Sequence, residues 1–181
     1  MIAPDSTLEG TLVRLRPVEE RDLPLFVQWL NDPDVRHWQG RSERGPETME
    51  TQRERLEHNR NDPEHCGWLI ETLDGKPLGN VGVRYVEKLH GSAELYIFIG
   101  DKARWSGGYG TDAIRTLLRH AFGELGQRRV YLVTDADNER GIRCYEKCGF
   151  VREGLLRAHR VRYGEPLDMV MMGVLREEWE G

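Results

Sequence analysis

The 181-residue sequence predicts an α/β (α+β) chain: a mixed sheet with helices on both faces. Three observations carry that prediction. Short apolar runs bounded by turn signals, such as Trp68–Thr72 and Leu78–Val86, read as strands. Ile114, Leu117, Leu118, Ala121, Phe122 and Leu125 fall at i, i+3, i+4, i+7, i+8 and i+11, the stripe of a helix packed on a sheet. That helix lies between the strand-like runs Glu94–Ile99 and Arg129–Thr134, the order of a β-α-β crossover.

The elements follow in order. Thr11–Arg16 reads as a strand ended by Pro17. Leu23, Phe26, Val27 and Leu30 then form one apolar stripe over a helix at about 20–30, which Asn31-Asp32-Pro33 stops. A second helix, about 47–60, has Met49 and Leu56 as its only large apolar residues, so it lies on the surface or lines a cleft. Its glutamates Glu47, Glu50, Glu54 and Glu57 suit either a cationic ligand or a solvated face. Leu73-Asp74-Gly75-Lys76 carries the Asp-Gly signal of a hairpin turn between the two central strands. His90-Gly91-Ser92 marks another turn, and Gly126 closes the long helix. A short helix at 139–147, strand after Gly149-Phe150, and a long strand Leu167–Leu175 complete the pattern.

Composition narrows the function classes. With 26 Lys+Arg against 31 Asp+Glu the net charge is -5, which argues against a nucleic-acid binder. Hydrophobic residues make up 38%, enough for a sizeable core, and the length suits a single domain over 1–181. No apolar stretch approaches the ~18 residues of a membrane helix, and the N-terminus lacks a signal-peptide core. Cys66, Cys144 and Cys148 are too few for a disulfide framework, so the expected setting is reducing and cytoplasmic. Cys144 and Cys148 have helical i, i+4 spacing, but no His or Cys pair nearby completes a metal site. His37, His58, His65, His90, His120 and His159 are scattered; no metal is expected.

Two segments carry chemistry. Gly100 to Thr111 masses glycines before the long helix, where first-turn amides lack intrahelical partners and face the positive end of the dipole. That makes either an anion site, most naturally for phosphate, or simply a tight turn. Gly108-x-Gly110-x-x-Ala113 formally matches a dinucleotide fingerprint, but eight residues separate Gly108 from the strand end at Ile99. A Walker loop is excluded because no Gly-Lys-Ser/Thr is present. In the second segment Asn138 follows a strand end, where its amide can cap a helix or pair with a ligand. Tyr145 lies seven residues on, two turns, so both can face one cleft.

Arg-Trp-Ser-Gly-Gly-Tyr-Gly-Thr-Asp-Ala at 104–113, followed by Asn-Glu-Arg-Gly-Ile-Arg-Cys-Tyr-Glu-Lys-Cys-Gly-Phe at 138–150, resembles the GNAT superfamily of N-acetyltransferases. The opening, Val13-Arg14-Leu15-Arg16-Pro17 through Asp32-Pro33-Asp34-Val35, is similar to the branch of ribosomal-protein N-terminal acetyltransferases (RimJ/RimL-like). So is the ending, from Gly154-Leu155-Leu156-Arg157 to Trp179. The likeness spans nearly the whole chain. It implies a mostly antiparallel central sheet of six to seven strands flanked by about four helices. It also implies transfer of acetyl from acetyl-CoA to a primary amine by direct attack in a ternary complex.

The resemblance further assigns residues. Cofactor contacts fall on Ile97, Phe98, Ile99, Arg104, Trp105, Ser106, Gly107, Gly108, Tyr109, Gly110, Thr111, Asn138, Arg143 and Tyr145. Trp105 stands where Gln or Arg is usual, Ser106 and Gly107 depart from the common Gly-Lys/Arg pair, and Gly141 replaces an alanine. Tyr145 would act as general acid to the departing thiolate, with a strand amide near Ile97–Ile99 holding the oxyanion. Glu94 is the candidate proton acceptor, or else a surface glutamate on a half-exposed strand. Trp38 is placed near the acceptor, or in core packing or a dimer contact. The acceptor is a protein N-terminus or a small cationic amine, with an aminoglycoside or other antibiotic, or a non-catalytic acyl-CoA-binding module, as the alternative. A homodimer is the assembly the family suggests.

Overall fold

The computed structural model describes residues 6–40 and 42–181. In chain order the elements are β1 (Leu8–Glu9), β2 (Val13–Pro17), α1 (Leu23–Asn31), α2 (Pro33–Trp38), α3 (Met49–Asn61), β3 (Cys66–Thr72), β4 (Pro77–Glu87), β5 (Ser92–Ile99), α4 (Tyr109–Gly123), β6 (Arg129–Asp135), α5 (Glu139–Lys147), β7 (Val151–Arg162) and β8 (Glu165–Leu175). The strands form one sheet, β1-β2-β3-β4-β5-β6-β8-β7. Every neighbouring pair is antiparallel except β5–β6, which the α4 crossover makes parallel.

The mixed, mostly antiparallel sheet is the expected one, with two additions among the described residues. β1 is a two-residue strand at the edge. α2 begins where the sequence signals a stop. Asp32 ends α1, yet its Oδ1 accepts from the Asp34 and Val35 amides at 2.9 and 3.4 Å, and Pro33 sits at the first helical position. A cap followed by proline starts a helix as readily as it interrupts one. The first helix also opens later than expected, because 20–22 form a 3-10 turn.

Helices cover both faces. Ile114, Leu117, Leu118, Ala121 and Phe122 of α4 pack with Leu15, Trp68, Ile70, Val81 and Leu95 on one side. Leu23, Phe26, Trp29 and Leu30 of α1 pack with Val35 and Leu69 on the other, against Phe98 and Trp105. Full burial of each large side chain contributes roughly 1.5–3 kcal/mol, so these two layers fix the sheet between them. Asp112 in the first turn of α4 pins that helix end. Its carboxylate accepts from the amides of Thr11, Leu12 and Val13 at 3.1, 2.7 and 3.0 Å. Those bonds hold residues 11 and 12 in a turn, which is why the strand starts at Val13.

Candidate active site

β5 and β6 pair only over Ser92–Arg129, Ala93–Val130 and Glu94–Tyr131. Beyond that point they diverge, although β5 runs on to Ile99 and β6 to Asp135. Each stays paired on its outer edge, with β4 and β8 respectively. The register of β4 against β5 shifts beyond Arg84, and Tyr85 there has φ of 53°. A bulge of this kind bends a strand and increases its twist. It lies beside the pair at which the split begins.

The split edge of β5 is legible from its hydrogen bonds. Gly100 N–H bonds back to Leu78 O at 2.8 Å, so even-numbered residues of β5 address β4. Ile97 and Ile99 therefore turn N–H and C=O toward the open side, since both groups of one residue share an edge in an antiparallel strand. There Gln39 Nε2 donates to Ile97 O at 3.4 Å and Trp105 Nε1 to Ile99 O at 2.8 Å. The amides of Ile97 and Ile99 face the cleft and can receive a ligand's carbonyl as a neighbouring strand would.

The cleft at this split is continuous and about 1190 Å³ in volume. One end is formed by the loop after β5 and the start of α4. Ser106 and Gly108 take positive φ, 63° and 86°. The first α-helical bond runs from Asp112 N to Gly108 O at 3.0 Å, leaving the amides of Tyr109, Gly110 and Thr111 ahead of it. Arg104 Nη1 donates to Tyr109 Oη at 3.2 Å. Arg140 of α5 stacks over the Trp105 ring at 3.9 Å, and burial lowers its pKa. Arg140 is thereby a cation beside the loop that motif spacing does not reveal. Arg143 lines the same end but is largely exposed and pairs with Glu139 at 3.0 Å. Ser106 and Gly107 are exposed in the loop that turns into α4.

Asn138 caps α5: Gly141 N donates to its Oδ1 at 3.0 Å, and its Nδ2 donates to Thr134 Oγ1 at 3.2 Å. A Cβ at residue 141 would lie 2.5 Å from Asn138 Nδ2, so glycine is what allows the amide to tuck against the helix. Tyr145 lines the cleft, with its ring edge-on to Phe150 at 6.1 Å. Burial, and the neighbouring Cys144, push its phenol well above the usual range, against an opposing hydrogen bond to Thr134. The hydroxyl stays protonated at any ordinary pH. Cys144 Sγ lies 3.3 Å from Thr111 Oγ1, while Cys148 packs in the core.

The other end of the cleft lies between the sheet and α1–α3. Glu94 lines it, and its Oε1 accepts from Arg84 Nη2 at 2.6 Å. Tyr96, two residues on, shares a 2.8 Å hydrogen bond with His65 Nε2, and the two rings stack. Burial raises the Tyr96 pKa and lowers that of His65, so both are neutral at neutral pH. Gly67 and Gly82 make room for the tyrosine hydroxyl, where any Cβ would overlap it. Trp38 lines the cleft beneath the Arg162 guanidinium, 5.7 Å from its ring. His65, Tyr96, Arg84 and Arg140 are the site residues that motif reading missed. Only the lone His65 before a strand and the alternation of Glu94 and Tyr96 hinted at two of them. Among the described residues no group of three or more His, Cys, Asp or Glu is placed to hold a metal ion.

Residues 13–151 match the Acetyltransferase (GNAT) domain family, so the chain is a GNAT N-acetyltransferase. An acetyltransferase structure from T. thermophilus is 36% identical, with coverage of 99% of this chain and 94% of that one and a TM-score of 0.80. A spermidine N-acetyltransferase from Vibrio cholerae, solved with CoA and spermine, is 23% identical, covers 95% of this chain and 100% of that one, and superposes with a TM-score of 0.86. An aminoglycoside N(6')-acetyltransferase type 1 of Klebsiella pneumoniae is 27% identical over 78% of this chain and 75% of its own length. Acetyl-CoA is the cosubstrate, and the cleft presents strand-edge amides, helix-start amides and the guanidinium groups of Arg104 in the loop and Arg140 in α5.

Proposed function

We propose that this chain transfers acetyl from acetyl-CoA to a primary amine by direct attack in a ternary complex. The observation that supports this reading best is the β5–β6 split, which opens two unpaired strand amides beside a protonated tyrosine. The amides of Tyr109, Gly110 and Thr111, with Arg104 and Arg140, would hold the pyrophosphate. The open edge at Ile97–Ile99, together with Asn138, would align the pantetheine arm. Acetyl-CoA supplies an activated thioester carbonyl. The amides of Ile97 and Ile99 stabilise negative charge developing on that oxygen.

The amine nitrogen forms the new C–N bond as the C–S bond breaks. Tyr145 hands its proton to the sulfur, CoA leaves as the thiol, and the second proton shed by the acylated nitrogen returns through water to the tyrosinate. The amine must first lose its own proton: a lysine-like amine near pKa 10.4 is neutral only about 0.04% of the time at pH 7. Glu94 stands three residues down β5 from Ile97, about 10 Å by strand rise, so it takes that proton through water rather than by contact. The acceptor reading spans a protein N-terminus, as in the ribosomal branch, and small amines such as spermidine and aminoglycosides.

The test is release of CoA thiol from acetyl-CoA, with free-N-terminus peptides, amino acids, spermidine and aminoglycosides at pH 7 to 8. Turnover with one class is expected. Acetyl-CoA binding without turnover across all classes would replace the enzyme reading with a binding module.

A further inference from the structure

The acceptor end of the cleft offers no carboxylate free to receive a cation. Among the described residues, Glu94 and Asp135 are the acidic side chains lining the cleft. Glu94 is held by Arg84 at 2.6 Å, and Asp135 by Arg160 at 2.9 Å and Arg162 at 3.3 Å. α3 turns its glutamates away: Glu50, Glu54 and Glu57 are exposed on its outer face, while Gln52, Arg55 and Asn59 line the cleft. Glu47 is buried behind that face, where it binds Gln52 Nε2 at 2.5 Å and Arg55 at 3.3 Å.

Cations dominate instead. Arg44, Arg55, Arg60 and Arg84 line the cleft with His58; Arg84 and Arg55 share their charge with Glu94 and Glu47, which leaves Arg44 and Arg60 in excess. Arg60 donates to a backbone carbonyl, Val18 O, at 3.2 Å, and no ion pair with a carboxylate is seen for it or for Arg44 among the described residues. The chain as a whole carries -5, so this positive end runs against the overall balance. A polyammonium substrate would have to shed water beside arginines that outnumber the carboxylates, each of which is already held by a guanidinium, and this disfavours binding. A carboxylate meets paired guanidinium donors, the geometry arginine serves best.

We infer that the acceptor is an amine that itself carries a carboxylate, an α-amino acid or a short acidic peptide N-terminus. The carboxylate sits between α3 and β4 on Arg55, Arg60 and Arg84, and the amine points toward Ile97. This rests on the acetyltransferase reading and narrows its substrate.

The experiment compares kcat/KM for matched acceptors on the full chain: alanine with alaninamide, Asp-Ala-amide with Asn-Ala-amide, Glu-Ala-amide with Gln-Ala-amide, and spermidine and kanamycin as cationic arms. At least one carboxylate member should exceed its amide partner by tenfold or more and exceed both polycations. Salt at 0.5 M should erode the preference. In an Arg55→Gln/Arg60→Gln double variant the ratio should fall toward one, with the amide partner's own kcat/KM reporting a folded enzyme. In parallel, calorimetry on the protein with and without saturating CoA compares glutarate with spermidine, and glutarate should bind the tighter. Higher kcat/KM for spermidine or kanamycin, equal rates within each pair, or tighter spermidine binding would each overturn the inference. Failure of acetyl-CoA to bind would break the underlying reading instead, and the calorimetric comparison would still decide the sign of the acceptor site.

Discussion

Tyr145→Phe removes one oxygen and keeps the ring against Phe150. Loss of a polar interaction of the hydroxyl with Thr134 costs at most about 1 kcal/mol, which for a chain of this size lowers Tm by no more than roughly 2–4 °C. In the proposed mode the loop, α4 and Asn138 hold most of acetyl-CoA and Tyr145 touches only its thioester end, so the Kd should hold within about twofold. Turnover should not. General acid catalysis contributes about 10²–10⁴-fold, or ~3–5.5 kcal/mol of barrier, far more than the stability change. The assay is steady-state CoA release on the best acceptor, beside calorimetric titration of CoA. Burial holds the wild-type phenol above its usual range, so kcat should show no alkaline limb from Tyr145 up to about pH 9. A variant kcat within about threefold of wild type, or a wild-type alkaline limb that vanishes in the variant, would refute the assignment.

Three further outcomes are expected. Gly141→Ala sets about 1 kcal/mol of gained helix propensity against about 1 kcal/mol of lost cap, so thermal melts should barely move, while the displaced Asn138 raises KM for acetyl-CoA severalfold. Cys144, whose pKa is lowered by its interactions with Cys148 and Thr111, should be the cysteine that iodoacetamide modifies, with a rate that falls when acetyl-CoA is added; peptide mass spectrometry locates the adduct, and first labelling at buried Cys66 would contradict this. Burial alone would raise the Asp22 pKa, but the fork from Arg16 at 2.7–2.8 Å and the Glu19 amide outweigh it and hold the carboxyl below its usual value. A lowered folded pKa gives stability that is present above the ordinary carboxylate range and lost as pH falls through the folded value, so Asp22→Asn should cost about 3 kcal/mol at pH 7 in urea melts, with the gap to wild type closing below about pH 4.

Much of the architecture was readable because its causes are local. The α4 stripe from Ile114 to Phe122 needs only a 3.6-residue period, and all its large members are buried. Asp74-Gly75 sits in the β3–β4 turn, with Gly75 at φ of 83°. Asn138 caps α5 at the predicted boundary. The missed helix α2 was also local, since Asp32-Pro33 both stops one helix and starts another. The glycine loop, Asn138 and Tyr145 came from motif likeness, and the fold brings all three to one cleft.

What lay beyond the sequence depends on partners far apart in the chain. Where β5 and β6 part is a matter of pairing among β4, β5, β6 and β8, segments far apart in the chain. No run of residues 92–99 records that. Arg140 reaches Trp105, and Tyr96 reaches His65, only once the crossover and the antiparallel register place them together. The charge of the acceptor end is likewise a tertiary property. The sequence determined that α3 is polar and rich in glutamate. Folding decided that those glutamates face water while Arg55 faces the cleft, because helix orientation follows from the few apolar contacts of Met49 and Leu56 with the α1 layer. Periodicity and capping act within a few residues and so can be read in line, whereas edges, pairs and pocket charge arise only when distant segments meet.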